Sequence, residues 1–110
     1  MAKFVKGDIV VVPFPFSDLT NAKRRPAFVL AVLPDDDIIL CQITSRDIKD
    51  DFAIKLKSSD FASGFLPIES NIRPNRLFTA DRHIILYKVG NVHQKKIAEV
   101  VDKAVDIIRA

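Results

Sequence analysis

One cysteine, three glycines, two histidines and no tryptophan occur among the 110 residues, and each scarcity closes off a class of function. The single Cys41 lies in the apolar run from Ile38 to Ile43. It has no partner for an intramolecular disulfide, which points to a buried core thiol and a reducing compartment. His83 and His93 are the only histidines and belong to no cluster with metal-ligand spacing, so no metal is expected. A glycine-rich phosphate loop, a nucleophile elbow and a Cys–His pair are all missing, so the common hydrolase templates do not fit and no cofactor is expected. The start, Met-Ala-Lys-Phe-Val-Lys-Gly, has no hydrophobic signal region, and no apolar run approaches the ~20 residues that span a bilayer. The expectation is a cytoplasmic protein with no membrane contact.

What is present reads as one globular domain over residues 1–110, 48% hydrophobic and 28% charged, with no internal repeat. A chain of this length buries roughly two thirds of its unfolded surface without staples. Lys+Arg number 17 against 14 Asp+Glu, a net +3 that accommodates an anionic partner without requiring one. The placement says more. Lys23, Arg24, Arg25, Arg46, Lys49, Arg73, Arg76 and Arg82 all fall in or beside expected turns, where a binding face is built.

The chain is organised around residues 7–33, in which the β-branched runs Ile9–Val12 and Ala27–Leu33 read as strands flanking a polar loop that ends Lys23-Arg24-Arg25-Pro26. Ile38–Ile43 reads as a central strand, Phe52–Lys57 as a strand with one wet face at a sheet edge, and Ser58–Gly64 as a loop in which Gly64 takes a positive φ. Phe65–Ile68 resumes extended chain, Leu77–Ala80 is a short strand, and His83–Val89 is the last. A helix follows, capped by Asn91 with Gln94. Its apolar stripe is Ile97, Val100, Val101, Ala104, Val105 and Ile108, with Glu99 and Lys103 paired on the wet side. Six or so short strands and one terminal helix imply a mainly β fold, a small, partly open antiparallel barrel.

Two arginines, Arg25 and Arg73, stand directly before prolines, which fix the backbone beneath them. With Thr44, Ser45 and Asn75 they make a set suited to the anionic transition state of phosphodiester transfer: arginine forks neutralise oxygens and a hydroxyl fixes one of them. The nucleophile then comes from the substrate. In RNA it is the adjacent 2′-OH. The residues alone leave this reading level with a plainer one, in which Thr44 serves β-propensity, Asn75 serves a turn and the basic run is a solvated face.

The segments KGDIVVVPFPFSDLTNAKRRPAFVL, ITS at Ile43–Ser45 and SNIRPNRLFTAD at Ser70–Asp81, followed by the amphipathic helix, resemble the MazF/PemK toxins of bacterial toxin–antitoxin pairs over nearly the whole chain. The resemblance implies a dimeric, SH3-like barrel of the CcdB/MazF type. It also implies a metal-independent, sequence-selective endoribonuclease (mRNA interferase) that cleaves single-stranded RNA to 2′,3′-cyclic phosphate and 5′-OH ends. The partners implied are a cognate acidic antitoxin, a second copy of the chain, and operator DNA only through the antitoxin. By motif position Arg25 and Thr44 act on the scissile phosphate. Arg73 matches the arginine of the arginine–aspartate pair in the PemK/Kid branch, but Asn75 stands where that branch has the aspartate, and an amide cannot take the 2′-OH proton. A guanidinium does not give up its proton in proteins, which makes electrostatic stabilisation the role of Arg25.

Arg24, Ser45, Arg76 and Asp81 complete the expected substrate contacts, with Phe16 and Phe78 as rim aromatics on which bases stack. Phe78 stands where relatives often have arginine. Two alternatives come from other classes. A CcdB-like inhibitor of a protein target such as gyrase acts through the end of its helix, which here differs as Ile107-Ile108-Arg109-Ala110. A catalytically inactive RNA-binding relative is prompted by Asn75.

Overall fold

The computed structural model describes residues 3–14 and 23–110, and of Phe14 the backbone only. Seven strands run in the order β1 (Asp8–Phe14), β2 (Lys23–Val32), β3 (Asp37–Thr44), β4 (Ile54–Leu56), β5 (Phe61–Gly64), β6 (Ser70–Asp81) and β7 (Tyr87–Val92). The helix α1 (Gln94–Arg109) closes the chain. The strands form one antiparallel sheet ordered β4-β6-β3-β2-β1-β7-β5, curled into a half-barrel as the strand pattern implies.

The sheet carries apolar residues on both faces because its central strands alternate two apolar sets. Ile9, Phe28, Cys41, Ile43 and Ile72 project to the face that Val100 of α1 covers. Val10, Val12, Ala27, Val29 and Leu40 project to the other, where Ile85 and the half-buried Phe4 and Phe78 pack. Burial pushes the Cys41 thiol up to about 12, in line with an inert core cysteine.

Several local expectations shift. Lys23–Pro26 belong to β2 rather than to a loop, because they pair with Phe14 to Val11 of β1. Phe61–Gly64, expected as loop, is β5 and pairs with β7, and 65–68, expected as extended chain, joins no strand. The last strand begins at Tyr87, after a 3₁₀ turn at Arg82–Ile84, and runs through Gly90 to Val92. Asn91 is therefore a strand residue whose Oδ1 accepts from Ser63 Oγ at 2.9 Å, and His93 rather than Asn91 holds the helix N-cap position. Lys103 donates to the Asp51 carbonyl at 3.3 Å, while Glu99 accepts from Lys96 at 2.8 Å, so the expected Glu99–Lys103 pair gives way to two ties. Of the apolar stripe, Val100 and Ala104 are buried, and Val105 and Ile108 stay exposed.

Gly64 takes φ +76° and lies opposite Gly90 in the β5–β7 register. The two backbones approach so closely that a methyl group on Gly90 would be driven into the Ser63 carbonyl oxygen. Gly90→Ala is expected to cost ~1–3 kcal/mol of stability by forcing β5 off the sheet edge, which a urea titration measures directly.

Candidate functional site

Arg25 and Thr44 come to one end of the sheet because of strand register. Ala27 of β2 pairs with Gln42 of β3, the last pair of that ladder, and Arg25 and Thr44 each lie two residues beyond it on their strands. Residues two apart on a strand share a face, so both side chains project to the side that carries Ala27 and Gln42, and both line one cavity. Pro26, set opposite Val11, fixes the backbone just after Arg25. A mounted guanidinium beside a mounted hydroxyl is a receptor for a tetrahedral oxyanion.

Thr44 is held from two sides. Its Oγ1 accepts the Arg46 N–H at 3.2 Å, which turns the chain at the strand end. Asn71 lies opposite it on β6, and Asn71 Nδ2 donates to the Arg46 carbonyl at 2.9 Å. Both are nearly covered, Thr44 8% and Asn71 6% exposed, so the hydroxyl has little freedom to reorient. Asn71 drew no notice in the sequence because its use depends on a cross-strand pairing that no local pattern reveals.

Arg73 lies on the same face one strand further out, opposite Gln42. Its Nη2 reaches Asp50 Oδ2 at 3.4 Å, and its Nε is buried with no hydrogen-bond partner among the described residues. Asp50 Oδ1 accepts the backbone N–H groups of Phe52 and Ala53, each at 2.9 Å. Those bonds, the Ala53 N–H foremost, together with Arg73 hold the Asp50 carboxyl below the usual carboxylate range. The Arg73–Asp50 contact is therefore present at neutral pH and is lost only as pH falls through that lowered value. The turn bearing Asp50 is itself tied to α1 through Lys103 and the Asp51 carbonyl.

A cavity of about 250 Å³ opens at this end of the sheet, lined among others by Arg24, Arg25, Thr44 and Ser45 and walled by the apolar segment Leu66–Ile68. Four of the expected site residues thus share one cavity. Arg73 stands beside it on the sheet but is not among its lining residues. Phe65, next to the apolar wall and 65% exposed, is an aromatic that the sequence analysis placed only in extended chain.

The others lie elsewhere. Asn75 and Arg76 sit with Pro74 in a bulge of β6, between the pairs Arg73–Gln42 and Leu77–Cys41, and both are exposed. Proline suits a bulge because it has no N–H to give to the ladder. Asp81 pairs with Asp37 at the far end of β3, roughly 23 Å along the strand from Thr44. There it accepts the His83 N–H at 2.8 Å and faces His83 Nδ1 at 2.6 Å, which accounts for its lowered pKa. Asp81, Asp36 and His83 bring one ligand atom each within 4.8 Å, a grouping whose Asp36 is paired with Arg82. Phe78 packs half-buried against the second core cluster rather than standing on a rim. Phe16 lies outside the described residues.

Residues 5–108 match a family model described as PemK-like, MazF-like toxin of type II toxin–antitoxin system. The chain belongs to that family. Its fold is that of solved MazF proteins. It superposes on MazF from Deinococcus radiodurans with a TM-score of 0.78 at 19% identity, covering 100% of both chains. A MazE–MazF structure from the same organism gives 0.76 at 18% identity over 98% of this chain and 97% of that one. The endoribonuclease in complex with its cognate antitoxin from Mycobacterial species gives 0.72 at 12% identity, over 96% of this chain and 97% of that one. No curated protein sequence matches. Within the PemK/MazF fold, then, the Arg25–Thr44 corner lies at one end of the half-barrel. Among the described residues no helix is long and apolar enough to cross a membrane.

Proposed function

We propose that this PemK/MazF-family chain is a cytoplasmic toxin that cuts single-stranded RNA at selected sequences, without a metal ion, and is silenced by an acidic antitoxin. The observation that carries the proposal is the placement of Arg25 and Thr44 on adjacent strands, where they line one cavity together with Arg24 and Ser45. Two structural neighbours are endoribonucleases and others are MazE–MazF complexes, which supports the activity and the partner.

In this reading the scissile phosphate sits on Arg25 and the Thr44 hydroxyl, and the adjacent 2′-oxygen attacks phosphorus. The P–O5′ bond breaks, the 2′-OH proton passes to solvent, and the departing 5′-oxygen takes a proton up. Arg25 stabilises the charge that gathers on the non-bridging oxygens, an effect strongest where water is excluded. Arg73 adds a second positive charge from β6. Arg24 and Ser45 hold neighbouring groups of the RNA, and Arg76 and Asn75 extend the basic face outward. A second copy of the chain completes the RNA groove, and operator DNA is reached only through the antitoxin.

The Arg73–Asp50 pair and the outlying Asn75 favour a second reading, an RNA binder that does not cleave. Incubating the purified chain with total RNA in EDTA and mapping the ends separates the two. The nuclease yields 2′,3′-cyclic phosphate and 5′-OH ends at a recurring sequence, whereas the binder retards RNA in a gel and leaves it intact.

A further inference from the structure

The carboxylate that faces Arg73 comes from a different part of the chain than residue 75. We infer that Asp50 is a positioning residue for Arg73, holding one end of its guanidinium so that its remaining N–H groups are aimed at an anionic oxygen of the substrate. This inference rests on the nuclease reading above. Three observations carry it. Asp50 is a fixed anchor, since Phe52 and Ala53 N–H groups at 2.9 Å hold one oxygen while the other meets Arg73 Nη2 at 3.4 Å. The Arg73 side chain is only 17% exposed, so its guanidinium is held by its surroundings rather than by water. Arg73 also lies on the face that carries Arg25 and Thr44.

The charge pattern fits that task better than proton transfer. Both Asp50 oxygens are engaged by donors and the carboxyl is held in its ionised form, which makes it a poor acceptor for a 2′-OH proton and a good fixed counter-charge. A guanidinium anchored at one end loses less freedom when it binds phosphate with the other.

Asp50→Asn separates orientation from turn structure, because the amide oxygen still caps Phe52 and Ala53 while the charge facing Arg73 is gone. Cleavage of a short RNA containing the mapped site is expected to fall ~10- to 100-fold in kcat with little change in KM. Asp50→Asn added to Arg73→Ala is expected to cost nothing beyond Arg73→Ala alone, since the anchor has nothing left to hold. Wild-type cleavage by Asp50→Asn, or a double variant whose losses simply multiply, overturns the inference and leaves the nuclease reading standing. A wild-type chain that leaves the RNA uncut overturns both, so the two failures are told apart by the wild-type lane.

Discussion

Arg25→Ala is expected to lower RNA cleavage by ~10²- to 10³-fold while the protein stays folded, the loss typical of removing one aimed donor from a developing oxyanion. The side chain is half-exposed and projects from the strand-end face that carries Thr44, so its removal opens no core cavity. Thermal unfolding of the variant should match the wild type within about 0.5 kcal/mol. Arg25→Lys is expected to recover only part of the rate, because an ammonium cannot present two parallel donors to a phosphate. Gel-resolved cleavage of a short RNA at fixed protein concentration measures both variants. Arg25→Ala at full activity would remove the phosphate-binding role from β2.

Phe28→Ala is expected to cost ~3–5 kcal/mol, a large share of the stability of a domain this size. Phe28 is fully buried among Ile9, Cys41, Ile43, Ile72 and Val100, so the cavity left behind touches β1, β3, β6 and α1 at once. The midpoint of thermal unfolding should drop by roughly 10 °C or more. Phe28→Leu, which keeps most of the volume, should lose far less. The substitution also bears on function, because Phe28 lies three residues from Arg25 on the same strand, and the register that brings Arg25 and Thr44 to one end of the sheet depends on β2 staying seated. Cleavage at a temperature where the variant is still folded should be near wild type. A loss of activity without a loss of stability would mean that Phe28 acts on the site directly.

The parts of this fold that show in the sequence are those written as short-range patterns. β1, β2 and β3 announce themselves through β-branched runs, α1 through its stripe from Ile97 to Ile108, and the positive φ of Gly64 through the residue type. The strand at 61–64 has a physical cause that the sequence hides. Phe61–Gly64 has little apolar patterning and is held by close glycine packing against β7, whereas Phe65–Ile68 is apolar yet joins no strand: Leu66 packs against the core, and Leu66–Ile68 wall a cavity.

The candidate site divides the same way. Arg25 and Thr44 are legible because each stands at the end of an apolar strand, and both then line one cavity. The partners that hold the neighbouring groups are not legible. Asp50 meets Arg73 from 23 residues away, and Asn71 reaches the Arg46 carbonyl from 25 away. Phe78 and Asp81 share a strand with Arg73 but run away from it along β6, a separation that nearness in sequence conceals.

The most direct test of self-cleavage by the substrate is a single 2′-deoxy substitution at the nucleotide whose 2′-oxygen adjoins the cut. With the purified chain and a short RNA carrying the mapped site, that one change is expected to abolish cutting at the position, while binding measured by fluorescence anisotropy stays within a few-fold of the all-ribose strand. Cutting that persists at the deoxy position would contradict the account, because the attacking group would then have to come from the protein or from water.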